Sequence, residues 1–132
     1  AFISAWSLKY QVVLLRPETY INAQIDPRWS PYIASPNFPE YPSGHSVASG
    51  AASEVLQSMF GQVAFTSVTA PGGRRMQRSF TSFRQAAQEA AISRMYGGIH
   101  YRAAIENGLV QGQCIGKASF DRITLRSLPQ GE

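Results

Sequence analysis

Six prolines fall between positions 17 and 42 of this chain, and no other feature limits its folding as much. Proline fixes φ and has no backbone N–H, so a stretch this dense in it is excluded from regular helix and from the middle of a sheet. The segment reads as a long ordered loop, because Tyr20, Trp29, Tyr32, Phe38 and Tyr41 supply aromatic surface suited to packing rather than to disorder. The regular structure must therefore come from the sequence on either side.

Both flanks carry helical spacing. Over residues 2–15, Phe2, Trp6, Tyr10 and Val13 recur at three or four residue intervals, and Arg16-Pro17 ends the pattern because a residue before proline is pushed out of helix. After Gly44, the positions Val47, Ala48, Ala51, Val55 and Met59 repeat in the same way with small Ser, Gly and Ala between them, which predicts a closely packed helix ending near Gly61. Residues 62–79 contain Pro71-Gly72-Gly73 with Arg74, Arg75 and Arg78, and read as a mobile basic loop. Ser82-Phe83-Arg84-Gln85 has the form of a capping box opening a third helix toward Met95, which Gly97-Gly98 breaks. A fourth helix is expected from about His100 to Ile115. The coarse expectation is an all-α helical domain over residues 1–120 and a C-terminal tail over 121–132.

With 132 residues there is chain for one domain, and 44% hydrophobic against 15% charged content excludes a solvated tail or a polyelectrolyte. The longest aliphatic run, Val12–Leu15, is far short of the roughly 18 to 20 apolar residues of a bilayer span. The start lacks both an initiator Met and a signal-peptide pattern, so a processed chain or a piece of a longer one is expected, with a secreted or periplasmic location. Cys114 has no cysteine partner and reads as a small buried apolar residue. Ten of the 12 basic residues are arginine. The planar guanidinium suits oxyanions better than lysine does, so the bias favours anion recognition.

Three clusters carry the chemistry: Lys9 with Arg16-Pro17, Pro42-Ser43-Gly44-His45, and Ser93-Arg94 with His100. Each falls at an expected helix end, where free N–H groups and the helix dipole favour an anion. Any one of these residues taken singly has an ordinary structural use as a surface charge, cap or core imidazole. Together, one Lys, two Arg, a Ser hydroxyl, a Gly amide and two His make the complement that a tetrahedral or trigonal-bipyramidal oxyanion needs.

In these clusters the chain resembles the vanadium haloperoxidases and the related type 2 phosphatidic acid phosphatases (class A acid phosphatases), whose signature is Lys-x6-Arg-Pro, Pro-Ser-Gly-His and Ser-Arg-x5-His. The resemblance covers residues 1 to about 116. It implies a helical bundle of that type, with this chain as the C-terminal active-site part of a larger bundle. It further implies that Lys9, Arg16 and Arg94, with Ser43 and the Gly44 amide, hold the equatorial oxygens of a vanadate cofactor. His100 would bind vanadium and His45 would act as acid–base partner. Phe-Pro-Glu-Tyr-Pro-Ser-Gly-His resembles the chloroperoxidase-type stretch, and Gly-Gly-Ile-His-Tyr-Arg-Ala-Ala-Ile-Glu-Asn-Gly the bacterial haloperoxidase branch. The same resemblance implies that Trp6 and Phe38 line a halide pocket, with hydrogen peroxide, a halide and a small organic substrate as partners.

Two other functions compete with this reading. One is an acid phosphatase using His100 as nucleophile through a phosphohistidine. The second is a non-catalytic oxyanion-binding module resting on Arg74, Arg75 and Arg78, although no nucleic-acid motif accompanies them. Many phosphatase members carry an Asp four residues after the second histidine, where this chain has Ala104, and Glu106 is a poor substitute on the helix. A carboxylate to orient the imidazole is therefore expected from a preceding segment. Four helices leave apolar faces uncovered, so another chain segment or a homo-oligomer is expected to pack on helices one and two.

Overall fold

Glycine decides how closely the two central helices meet. The structure is a computed structural model that describes residues 1–70 and 75–127, with side chains to Ile123. Helix α3 (Gly44–Phe60) packs most extensively on the long helix α5 (Arg102–Ser127). On α5 the glycines at 108, 112 and 116 share one face at four-residue spacing. A Cβ on Gly112 would lie 2.2 Å from the Val47 carbonyl oxygen, and one on Gly116 2.5 Å from that of Ala51. From the other side, a Cβ on Gly50 would meet the Leu109 carbonyl oxygen at 2.7 Å. The two backbones are therefore in direct contact, and the Ser43 amide at the start of α3 donates to the Ala104 carbonyl at 3.0 Å. The contact fixes where α3 begins.

The other elements pack around this pair. Helix α4 (Phe83–Tyr96) buries Ala87 and Ala91, with α3 as its main packing partner. Its N-cap Ser82 accepts from the Gln85 amide at 3.1 Å, and the Gln85 side chain returns to accept from the Thr81 amide, so the capping box forms one residue wider than its motif. Gly98 has φ 80°, and a Cβ there would sit 3.0 Å from Pro31 and 3.1 Å from the Trp29 ring. The proline-rich segment packs on that turn, where Ile33 donates to the Gly97 carbonyl at 3.2 Å.

Helix α1 (Phe2–Val12) ends three residues before the expected position 15, at Val13 in the left-handed region with φ 49°. A β-branched residue rarely adopts that conformation. Here it ends the helix and turns the chain so that Arg16, seven residues after Lys9, returns to the same region.

Other sequence-based expectations are corrected by the structure. Residues 17–42 are not loop throughout, because Pro17 opens the short helix α2 (Pro17–Gln24) as its first residue. Proline is tolerated there, since the first N–H of a helix has no intrahelical partner. Residues 62–79 are not a loop throughout either: strand β1 (Phe65–Thr69) pairs antiparallel with β2 (Met76–Phe80), Phe65 opposite Phe80. Phe65 stacks on Phe83 at 5.3 Å and tilts against Phe80 at 5.3 Å, which anchors the hairpin to α4. Arg74 and Pro71-Gly72-Gly73 lie outside the described residues. Helix α5 continues to Ser127, so residues 121–127 are helical rather than tail, and 128–132 lie outside the described residues. Cys114 is exposed, because the glycine face of α5 turns it outward.

Buried hydrophobic residues are few and mostly small: Ala5, Val47, Ala87, Ala91, Ile99, Ala104 and Ile105. Meanwhile Phe2, Ile3, Tyr10, Val13 and Leu15 are 61% to 90% exposed. Part of the exposed apolar surface lies on α1 and its exit, and further large apolar side chains are exposed elsewhere, among them Ile25, Tyr32, Tyr96 and Val110. Among the described residues no helix is long and apolar enough to cross a membrane.

Candidate functional site

Helix α1 places Trp6 and Lys9 one turn apart, and Lys9 is fully buried. Its ammonium donates to the carbonyls of Pro39 at 2.9 Å, Glu40 at 3.0 Å and Pro42 at 2.5 Å, which occupies all three of its donors. It also lies 5.7 Å from the Trp6 ring and 5.2 Å from the Phe38 ring. Burial and then the Arg16 charge lower its pKa to about 8, against the opposing pull of Glu40. Lys9 is thus still mainly protonated at neutral pH. In this structure it gives the site charge, and its hydrogen bonds go to the 39–42 loop.

Arg16 is 6% exposed and tied on every edge. Nε donates to the Phe38 carbonyl at 3.1 Å and Nη1 to the Ile99 carbonyl at 2.9 Å, while Nη1 also meets His100 Nε2 at 3.3 Å. Its guanidinium stacks 5.1 Å above the Phe38 ring. His100 is buried just ahead of α5, and its Nδ1 lies 2.6 Å from Glu40 Oε1. Desolvation lowers the His100 pKa, Glu40 opposes that shift, and Arg16 and Lys9 add to it. The ring is therefore favoured as neutral imidazole near neutral pH.

Ser43 is the N-cap of α3 and accepts from the Ser46 amide at 3.3 Å. Gly44 follows, and a Cβ there would come within 2.9 Å of the Trp6 ring, so glycine lets the indole lie against the first turn. His45 projects from that turn on the exposed side. Partial burial, then the Arg94 charge, lower its pKa as well. Arg94, from the last turn of α4, has its Nε buried without a hydrogen-bond partner among the described residues.

These groups converge. A cavity of about 160 Å³ is lined by Trp6, Phe38, Gly44, His45, Arg94 and His100 together with Phe2, Pro36, Ala48, Ser49 and Ile99. That is room for several water-sized groups, enough for a small oxyanion. Lys9, Arg16 and Ser43 flank the cavity without lining it. The Trp6 and Phe38 rings, 5.2 Å apart, form one apolar wall. Three cations stand against one carboxylate, and the unpaired Arg94 Nε is an unsatisfied donor of the kind an anion fills. Among the described residues no three His, Cys, Asp or Glu side chains cluster to hold a metal cation.

Residues 1–127 match the family model of the VCPO second helical-bundle domain. The chain belongs to the vanadium haloperoxidase superfamily. A solved bacterial vanadium-dependent iodoperoxidase is 56% identical over 92% of this chain, with TM-score 0.87. The chain spans 30% of that protein's length. A bacterial vanadium-dependent chloroperoxidase shares the fold in its holo form, with TM-score 0.82 and 21% identity over 93% of this chain and 33% of its own. Its apo form gives 0.80 and 21% over 93% of this chain and 34% of its own. The comparison with curated proteins matched none.

In this vanadium haloperoxidase superfamily domain the carboxylate beside His100 does not come from a preceding segment. It is Glu40, fully buried. Ala104 contributes only its carbonyl, to Ser43, and Glu106 is exposed and pairs with Arg102 at 3.4 Å. Glu40 sits in the signature stretch itself, three residues before Ser43. One signal could have found it: an acid among Phe38, Pro39, Tyr41 and Pro42 needs a partner wherever those neighbours are buried. Of the basic-loop arginines that the described residues include, Arg75 is exposed and Arg78 pairs with Glu89 at 2.6 Å, so neither lines the cavity.

Proposed function

We propose that this cavity binds vanadate and that the protein carrying the domain is a vanadium-dependent haloperoxidase, oxidising a halide with hydrogen peroxide. The observation that carries the reading is that Arg94 and two neutral-leaning imidazoles line one cavity, with Lys9 and Arg16 behind its wall, and that Arg94 Nε has no hydrogen-bond partner among the described residues. When bound, vanadate supplies a Lewis-acidic pentavalent centre that activates peroxide toward halide.

The protein's own groups divide the remaining work. His100 offers Nε2 as the ligand atom. Arg94 and the Gly44 amide donate to the anion's oxygens, while Lys9 and Arg16 supply charge from behind the lining and Ser43 caps the helix that presents Gly44. His45, whose lowered pKa leaves a free imidazole lone pair near neutral pH, takes up and returns a proton at that nitrogen. Trp6 and Phe38 offer a halide a partly desolvated wall.

The 56% identical relative is described as an iodoperoxidase, which makes iodide the first halide to test. The purified intact protein should oxidise iodide only with both vanadate and peroxide, and inorganic phosphate should inhibit competitively because both anions seek the same donors. Turnover that is indifferent to vanadate and phosphate would contradict the reading. One observation favours the acid phosphatase as a second reading: a carboxylate on Nδ1 suits His100 to nucleophilic attack on phosphorus. Hydrolysis of p-nitrophenyl phosphate without vanadate separates the two.

A further inference from the structure

We propose that Glu40 is a positioning residue, holding His100 in the tautomer protonated at Nδ1 so that Nε2, the unprotonated nitrogen that here accepts from Arg16, is the one that engages the oxyanion; the inference rests on the cavity being the oxyanion site. Two neighbours fix the tautomer independently. On one side, Glu40 Oε1 accepts from the Tyr101 amide at 3.0 Å and faces His100 Nδ1 at 2.6 Å, so the imidazole proton belongs on Nδ1. On the other, Nε2 meets Arg16 Nη1 at 3.3 Å, and a guanidinium can only donate, so Nε2 keeps its lone pair. Both edges of the ring agree.

Glu40 is itself immobilised. Its amide donates to the Leu14 carbonyl at 2.9 Å and its carbonyl accepts from Lys9 at 3.0 Å, so the residue bridges the exit of α1 and the approach to α5. The side chain is fully buried, yet Oε2 has no hydrogen-bond partner among the described residues. A buried carboxylate with an unsatisfied oxygen is costly, and an apolar residue would fill the space at lower cost if packing were its only role. The carboxylate does what an apolar residue cannot: it orients the ring and makes Nε2 a stronger donor.

The test uses the intact protein with histidine-selective ¹⁵N labelling, and His100 is assigned by the signal lost in His100→Ala. In wild type without vanadate, His100 should show a protonated Nδ1 and an unprotonated Nε2. Glu40→Gln keeps an acceptor at Oε1, so it should retain the tautomer and lose about tenfold in vanadate affinity, the lower end of the cost of losing an outer-shell partner. Glu40→Ala should mix the tautomers and lose about 100-fold. A wild-type His100 protonated at Nε2 overturns the proposal, as does a Glu40→Gln or folded Glu40→Ala protein whose vanadate affinity stays within twofold of wild type. If Glu40→Ala does not fold, the wild-type spectrum and Glu40→Gln still decide. The tautomer is read without oxyanion, so wild type failing to bind vanadate would count against the proposed function alone.

Discussion

Replacing Gly112 with alanine should destabilise the domain by about 3 kcal/mol, and valine should prevent it from folding. The new methyl would sit 2.2 Å from the Val47 carbonyl oxygen and 2.8 Å from the Ala51 nitrogen, whereas ordinary contact begins near 3.4 Å. Both obstacles are backbone, so no side chain can rotate out of the way. Helices α3 and α5 would have to part by about an ångström, loosening the Gly108 and Gly116 contacts as well. Alanine's better helix propensity returns only about 1 kcal/mol. The denaturant midpoint measures the loss. Cys114→Ala, on the exposed side of the same helix, should change stability by no more than about 0.5 kcal/mol. A Gly112→Ala protein as stable as wild type would mean that the two backbones do not touch.

His100→Ala should abolish iodide oxidation and weaken vanadate binding by more than about 100-fold, because it removes the proposed ligand atom and losing an outer-shell partner alone costs about 10- to 100-fold. Arg94→Ala should be milder. Losing a hydrogen bond to a charged group costs about 1.5 to 3 kcal/mol, which is about 10- to 150-fold in affinity. The contrast between the two tests the division of roles: the ligand nitrogen belongs to His100, and Arg94 donates to an oxygen through a group now unpaired. Calorimetric vanadate titration of each variant, with circular dichroism to verify folding, reads both. If His100→Ala bound vanadate as tightly as wild type while Arg94→Ala did not, the anion would be held by charge alone.

Much of this architecture is legible in the sequence because its signals are local. The small residues after Gly44 announce a closely packed helix, and the three clusters lie at helix ends, with Lys9 and Arg94 in last turns and Arg16 and Ser43 as N-caps. Their convergence on one cavity follows from the α3–α5 contact, which holds Ser43 against Ala104. What escaped depends on partners distant in sequence. Pro17 punctuates a helix start as well as a stop, and only the fold shows which. Strand β1 alternates weakly, through Thr and Ser, and the hairpin rests on Phe65 packing against Phe80 and Phe83. Helix α5 persists through three glycines because its contact with α3 outweighs their poor propensity. Glu40 meets His100 across 60 residues of sequence, so no local pattern could pair them.

The most direct measurement is a crystal structure of the intact protein soaked with vanadate, with anomalous scattering used to locate the metal. Vanadium is expected within bonding distance of His100 Nε2, its oxygens facing Arg94 Nε and the start of α3, and Glu40 still on Nδ1. Vanadium bound away from His100, or none at saturating vanadate, would contradict this.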